Sequence, residues 1–111
     1  MRVTSSLWVG AFVRRYNGAG AFGAVVRHGA DEAGAIFIVI DQLRGAADLY
    51  APAPQSSFDE GQPSDRLFQR VIESGTPQAI AERLERERRF DADLWTVEVE
   101  DREGRIFFEV I

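Results

Sequence analysis

The first regular pattern along the chain is a run of apolar residues at helical spacing. Its members are Trp8, Val9, Phe12, Val13 and Tyr16. Apolar residues that recur three or four positions apart lie on one face of a helix. The preceding Thr4, Ser5 and Ser6 are residue types that cap helix N-termini. We therefore predict an amphipathic helix over residues 6–17.

Three strands are predicted after this helix, over residues 22–28, 35–40 and 46–51. The short connections between them favour an antiparallel meander. Residues 35–40 form an unbroken apolar run, so this strand lacks a polar face. We expect both of its faces to be covered, by one helix each or by a partner subunit. Residues 66–72 fit both a helical stripe and a short strand.

A second helix is predicted to begin near Thr76. Threonine is a common N-cap residue, and Pro77 suits the first helical position, where a backbone N–H has no partner within the helix. Ile80 and Leu84 lie four residues apart and form the inner face. Because this apolar stripe is narrow, we expect the helix to lie on the surface of the protein.

The last two predicted strands form a hairpin. Residues 94–100 alternate between apolar and polar side chains, as a half-buried strand does. Turn-forming residues follow at 101–104, and the apolar residues 105–111 predict a returning strand.

These elements together predict an α+β fold. We expect an antiparallel sheet of about five to six strands, built from the meander and the C-terminal hairpin, with two packed helices. A hydrophobic content of 45% in 111 residues is enough for one core. We therefore predict a single domain over residues 1–111.

The charge of the chain reduces the number of partner classes. Eighteen acidic and 13 basic residues give a net charge of −5, which repels phosphate backbones and anionic membrane surfaces. We therefore expect neither nucleic acid nor membrane as a partner. The chain has no cysteine, which suits a reducing compartment, and its apolar run at residues 7–13 is too short to span a membrane. These features lead us to expect a cytoplasmic protein.

Residues 88–105 resemble a known family. They contain an arginine-rich helix end, the sequence Phe-Asp-Ala-Asp-Leu-Trp at residues 90–95 and an acidic hairpin. This combination is similar to short alphaproteobacterial proteins grouped as domain of unknown function 1491. The similarity extends to residues 7–9, 14–15, 25–29 and 33–35 and so covers most of the chain. The resemblance implies that residues 66–72 form a fourth meander strand, and it implies no mechanism.

The densest acidic group consists of Glu98, Glu100 and Asp101. Strand alternation places Glu98 and Glu100 on one face, about 7 Å apart, where carboxylates can hold a divalent ion. The structural interpretation is a solvent-facing side of a half-buried strand, with Arg102 and Arg105 as neutralising neighbours. We favour the structural interpretation, because the chain has no lysine to accompany a phosphoryl-transfer metal.

Three other patterns have both a functional and a structural interpretation. His28 is a candidate general base oriented by Asp31 or Glu32, although a histidine at a strand end explains it better. Residues 18–23 have G-x-G-x-x-G spacing, but a helix precedes them and a strand follows, the reverse of the dinucleotide-binding order. The polar segment 52–64 is a predicted surface loop, and the sequence neither favours nor excludes a small-molecule site beneath it.

The sequence contains no recognisable catalytic set, and we expect no cofactor. We favour a small non-enzymatic accessory or regulatory module that binds protein, with a second copy of the chain as the candidate partner. Phe107 and Ile111 are the interface candidates, because alternation along the last strand would leave them pointing outward. The alternative is a metal-dependent hydrolase with Glu98, Glu100 and Asp101 as ligands.

Overall fold

The computed structural model describes residues 3–54 and 66–111, which form one mixed sheet with a helix on each side. The helices are α1, Ser5–Gly18, and α2, Pro77–Phe90. The strands are β1, Phe22–Arg27; β2, Ile36–Asp41; β3, Ala47–Pro52; β4, Leu67–Gly75; β5, Trp95–Glu100; and β6, Glu109–Val110. Residues 55–64 of the predicted loop lie outside the described residues, and so does the small-molecule hypothesis that depends on them.

Both predicted helices are confirmed, and a threonine side chain caps each one. Thr4 Oγ1 accepts a hydrogen bond from the Leu7 N–H at 3.2 Å, and Thr76 Oγ1 accepts one from the Ala79 N–H at 3.1 Å. Pro77 takes the first position of α2, as predicted. Neither of these two helices has the length and apolar character that a membrane span requires.

β2 lies at the centre of the core because both of its faces are apolar. Ile36, Ile38 and Ile40 pack in the cluster that contains the inner residues of α1. Phe37 and Val39 point to the opposite side and belong to the cluster of α2. The expectation that this strand is covered on both faces is therefore confirmed, with one helix on each.

The strand order is β1-β5-β2-β3-β4-β6, which corrects the predicted antiparallel sheet. β5 lies between β1 and β2, antiparallel to β1 and parallel to β2. A parallel pair needs a long crossover connection, and the segment from β3 to α2 supplies it. The meander therefore consists of β2, β3 and β4 instead of the first three strands. The strand interpretation of residues 66–72 is confirmed, because β4 begins at Leu67.

The predicted C-terminal hairpin is wrong, because β1 and β2 already occupy both edges of β5. Residues 101–111, called the arm below, instead cross the α1 side of the sheet, and β6 pairs parallel with β4. Tyr16 fixes the arm to α1: its hydroxyl donates to Arg105 O at 2.7 Å and accepts from the Phe107 N–H at 3.0 Å.

Phe107 is half-buried and does not point outward as predicted. Its ring centroid lies 4.6 Å from that of Tyr16, and the Arg15 guanidinium lies 4.6 Å from its centroid on the ring face. Ile111 is 58% exposed. The alternation argument fails in the arm because only Glu109–Val110 of it is a strand. Its other side chains follow the path across α1.

Candidate functional site

α2 covers only part of its side of the sheet. It packs mainly over β3 and β4, so among the described elements no helix covers the same side of β1 and β5 to a similar extent. As a result, Phe22 and Val26 of β1 are 60% and 62% exposed. A groove opens along the boundary between the covered and the open part of this face.

The groove has mostly apolar walls and a volume of about 470 Å³. Ile80 and Leu84 form the wall that belongs to α2. Val39 of β2 and Val26 of β1 lie on the sheet side, and Leu43 lies beyond the end of β2. A concave apolar surface of this size is typical of sites that bind a small molecule or a side chain of another protein.

Two carboxylates, those of Asp41 and Glu98, also line the groove. The parallel register of β2 and β5 brings them close, because Asp41 pairs with Glu100 and Val39 with Glu98. Across residues 3–54 and 66–111, no ion pair includes Asp41, Glu98 or Glu100. This part of the groove therefore carries negative charge that is not paired with a cation of the described residues.

The pKa of Glu98 reflects this environment. Burial raises it above the ordinary value of 4.5, and the negative charges of Asp41 and Glu100 raise it further. Both causes disfavour the ionised form of the side chain. A cation bound in the groove would stabilise that ionised form.

Thr96 adds a hydroxyl group to the groove. The alternation of β5 places it on the same side as Glu98, and the residue is only 4% exposed. Because Thr96 lines the groove, a ligand there would meet a group that both donates and accepts beside the two carboxylates.

The structure separates the three predicted metal ligands. Glu98 and Glu100 lie on the α2 side of β5, as alternation predicts, whereas Asp101 is 5% exposed and bonded to Arg105. Asp101 Oδ2 accepts hydrogen bonds from Arg105 Nε at 2.9 Å and from the Arg105 backbone N–H at 3.1 Å. Within the two described ranges, no three carboxylate or imidazole side chains are placed to hold a metal ion.

Asp101 instead closes the turn at the start of the arm. Its Oδ1 also accepts a hydrogen bond from the Glu103 N–H at 3.2 Å. The hydrogen bond from the Arg105 side chain lowers the pKa of Asp101 below its ordinary value of 3.8, although burial opposes this. The carboxylate therefore holds Arg105 in place, and Arg105 in turn donates to Ala19 O at 3.1 Å.

The structure places His28 beside one of its two predicted partners. His28 Nε2 lies 3.0 Å from Asp31 Oδ1, and both side chains are exposed. The imidazole also lies against Trp95, with 4.1 Å between ring centroids. This exposed pair spans the turn that follows β1, which agrees with the structural interpretation of the histidine.

Sequence reasoning identified Glu98 but missed Asp41, Val26 and the groove itself. Only the parallel pairing of β2 with β5 places Asp41 near Glu98, and strand pairing is not a local property. One signal was present in the sequence. Consecutive Val25 and Val26 would point to opposite faces of a regular strand, and α1 alone would not cover both, although the β1–β5 register shifts between Val25 and Arg27.

Comparisons with known proteins agree on a family and on the fold. The model of the family described as "Protein of unknown function (DUF1491)" matches residues 3–109. The chain is similar to protein Atu0922 from A. tumefaciens, known from a solution structure, with 45% identity over 90% of this chain and 86% of that chain and a TM-score of 0.79. The resemblance seen in the sequence is thus confirmed.

A second relative gives the same result in two structures. A DUF1491 family protein from Caulobacter crescentus CB15 is 32% identical, with a TM-score of 0.80, in both its crystal structure and its NMR structure. The match covers 100% of this chain, together with 99% of the crystallised chain and 98% of the chain studied by NMR. No curated protein matches the sequence.

Proposed function

Because this chain belongs to the DUF1491 family, whose function is unknown, we propose a function from its own geometry: a cytoplasmic, non-enzymatic accessory module that binds a partner protein. The observation that carries the proposal is the open half of the α2 side of the sheet. There, exposed apolar side chains border a groove with carboxylates that form no ion pair among the described residues.

The chemistry of this face fits a protein partner. Val26 and Leu43 line the groove and are 62% and 44% exposed, and Phe22, which pairs with Glu100 farther along β1, is 60% exposed. Apolar side chains grouped around polar ones are typical of protein–protein contact surfaces. A partner that covered them would complete the layer that α2 leaves incomplete.

No observation favours the alternative of a metal-dependent hydrolase. Asp101, one of its three proposed ligands, is bonded to Arg105 and to two backbone N–H groups. Glu98 and Glu100 remain beside each other on β5, but a hydrolytic metal site needs further ligands.

The proposal is tested by a matched pair of variants in cells that express the chain natively. Val26→Asp places a charge in the groove, at a residue that is 62% exposed. Leu7→Asp is the control, because it places a charge on α1 at a residue that is 63% exposed. We expect cross-linking and co-purification to recover a partner with wild type and Leu7→Asp but not with Val26→Asp. Equal urea midpoints for the variants would show that folding is intact.

Equal recovery of the same partners with all three proteins would contradict the proposal. Loss of the partners from Leu7→Asp alone would contradict it as well, because the contact surface would then lie on α1.

A second copy of the chain is proposed as the partner of another surface. Ile111, with Ile106 and Val110, is exposed at the β4–β6 edge, around a cavity that Tyr50 also lines. We expect sedimentation at micromolar concentration to show a dimer for wild type and a monomer for Ile111→Asp. A wild-type mass of one chain over that range would contradict the proposed dimer contact. The proposal for the groove would still stand.

A further inference from the structure

We infer that the groove receives an arginine or lysine side chain of the partner protein, with an apolar residue next to it in that protein. This inference rests on the proposed protein-binding function and names the chemistry of the partner.

The shape and walls of the groove suit the stem of such a side chain. Ile80, Leu84 and Val39 present apolar surface along a cavity of about 470 Å³. Arginine and lysine bury their methylene groups along apolar surface while the charged end reaches a polar partner. The exposed Val26 and Leu43 at the border are available to an apolar neighbour of the cation.

The charges of the groove select a cation. Asp41 and Glu98 line it, Glu100 pairs with Asp41 in the sheet, and no described arginine forms an ion pair with any of the three. An ammonium or guanidinium group between these carboxylates would form charge-assisted hydrogen bonds. Burial, together with the negative charges of Asp41 and Glu100, raises the pKa of Glu98, and a bound cation would counter the effect of these charges.

Thr96 adds a polar group to the same wall. The residue is 4% exposed and lines the groove beside Glu98, where its hydroxyl is able to accept a hydrogen bond from a cation. A guanidinium carries five N–H donors in a planar arrangement, so it can serve a hydroxyl and two carboxylates together.

Two other occupants fit less well. A divalent metal ion needs several oxygen ligands, and no three acidic or histidine side chains are placed to bind one in residues 3–54 and 66–111. A second copy of this chain is proposed at the β4–β6 edge, and its net charge of −5 disfavours a further contact at the acidic groove. The electrostatics favour a basic segment of a different protein.

The test compares two peptides that differ only in the charge of one side chain. The probes are the synthetic peptide Leu-Arg-Leu, capped at both ends, and the same peptide with citrulline, the neutral isostere of arginine. Titrations into isotopically labelled protein at low salt are followed through backbone amide shifts. We expect saturable shifts at Asp41, Thr96 and Glu98 with the arginine peptide and about tenfold weaker binding of the citrulline peptide.

A second experiment reverses the charge of the groove. Glu98→Gln should weaken binding of the arginine peptide about tenfold. Glu98→Arg should abolish that binding and allow the capped Leu-Glu-Leu peptide to bind at the same amides. Agmatine, a free guanidinium compound, should bind at least about tenfold more weakly than the arginine peptide, because it lacks the apolar neighbours.

Three results would overturn the inference. They are equal binding of the citrulline and arginine peptides, no saturable shift in the groove at millimolar peptide, and agmatine binding as tight as the peptide. Concentration-dependent shifts of the same amides without any peptide would also overturn it, by showing that a second copy fills the groove. If Val26→Asp still abolishes partner recovery in any of these cases, the proposed docking function stands and only the cation is wrong.

Discussion

The side chain of Asn17 covers the backbone of Gly23 at the free edge of the sheet. Asn17 Oδ1 accepts a hydrogen bond from the Gly23 N–H at 2.8 Å, and its Nδ2 donates to Gly23 O at 3.4 Å. β1 is an edge strand, so a further strand would use these same two groups. The amide of Asn17 therefore occupies a position at which another chain could pair with the sheet.

We predict that Asn17→Ala lowers stability and promotes association. The free energy of unfolding should fall by about 1 kcal/mol, because two backbone groups lose their partner. The freed edge should also raise the sedimentation coefficient at high protein concentration. Asn17→Asp is the matched control, since it keeps an acceptor for the Gly23 N–H. Identical stability and mass for Asn17→Ala and wild type would contradict the prediction.

We predict that Glu98→Gln stabilises the fold near neutral pH, by about 0.5 kcal/mol. The pKa of Glu98 is raised in the folded state, so its ionised form costs stability once the pH rises through that pKa. Below the ordinary value of 4.5, the carboxyl is protonated in both states and the variant should match wild type. Urea unfolding at pH 7 and pH 4 measures both values. A destabilised variant at pH 7 would disprove this.

We predict the opposite effect for Asp101→Asn. Arg105 lowers the pKa of Asp101 in the folded state, so the carboxylate stabilises the fold above its ordinary pKa of 3.8, and this contribution is lost as the pH falls through the folded pKa. At pH 7, the variant should lose about 1 to 3 kcal/mol, because two charge-assisted contacts weaken. As the pH is lowered from 7 to 3, the urea midpoints of Asp101→Asn should converge with those of wild type. Parallel curves at all pH values would rule out this account.

We predict that Tyr16→Phe releases the arm. The variant loses the hydroxyl that bonds to Arg105 O and to the Phe107 N–H, so the free energy of unfolding should fall by about 1 to 3 kcal/mol. Amide exchange should increase most at Phe107. Burial raises the pKa of Tyr16, so wild type should lose stability as the pH rises above about 10, and Tyr16→Phe should lose less. Unchanged exchange in the arm would show that the aromatic contacts alone hold it.

We predict that Gly29→Ala destabilises the fold by more than about 2 kcal/mol, because overpacking displaces backbone as well as side chains. A methyl group at Gly29 would overlap Asp93 O, Leu94 C and Trp95 Cδ1. Gly18→Ala is the control, since no atom of the described residues outside the adjacent helix backbone lies within 4 Å of a methyl group there. Thermal unfolding of both variants provides the comparison. Similar melting temperatures for the two would show that the turn at Gly29 adjusts at little cost.

Local signals predicted the helices and most strands well. Thr76 with Pro77 marks the start of α2, and the apolar run of residues 36–40 marks a strand buried on both sides. Both signals depend only on neighbouring residues. The pairing of β5 with β1 and β2 depends on which edges remain free after all strands have formed. Because β1 and β2 pair with both edges of β5, residues 105–111 find no free edge of β5 and form no hairpin.

The candidate site was only partly predictable for the same reason. Alternation placed Glu98 correctly on the side opposite Trp95. Its neighbour Asp41 lies at the end of another strand and comes near only through parallel pairing. The uncovered part of the α2 side, next to Asp41 and Glu98, also depends on where α2 packs on the sheet. The pattern of residues within the helix does not indicate that position.

The internal position of β5 affects how the protein is made. On the ribosome, β1 and β2 emerge before β5, the strand that lies between them in the sheet. One edge of β2 therefore stays unpaired until β5, which follows α2 in the chain, has been synthesised. Pairing between distant segments is slow, and unpaired apolar strands aggregate. A nascent chain is therefore most exposed to misassociation between the emergence of β2 and that of β5. Chaperones would act on this protein mainly during that interval.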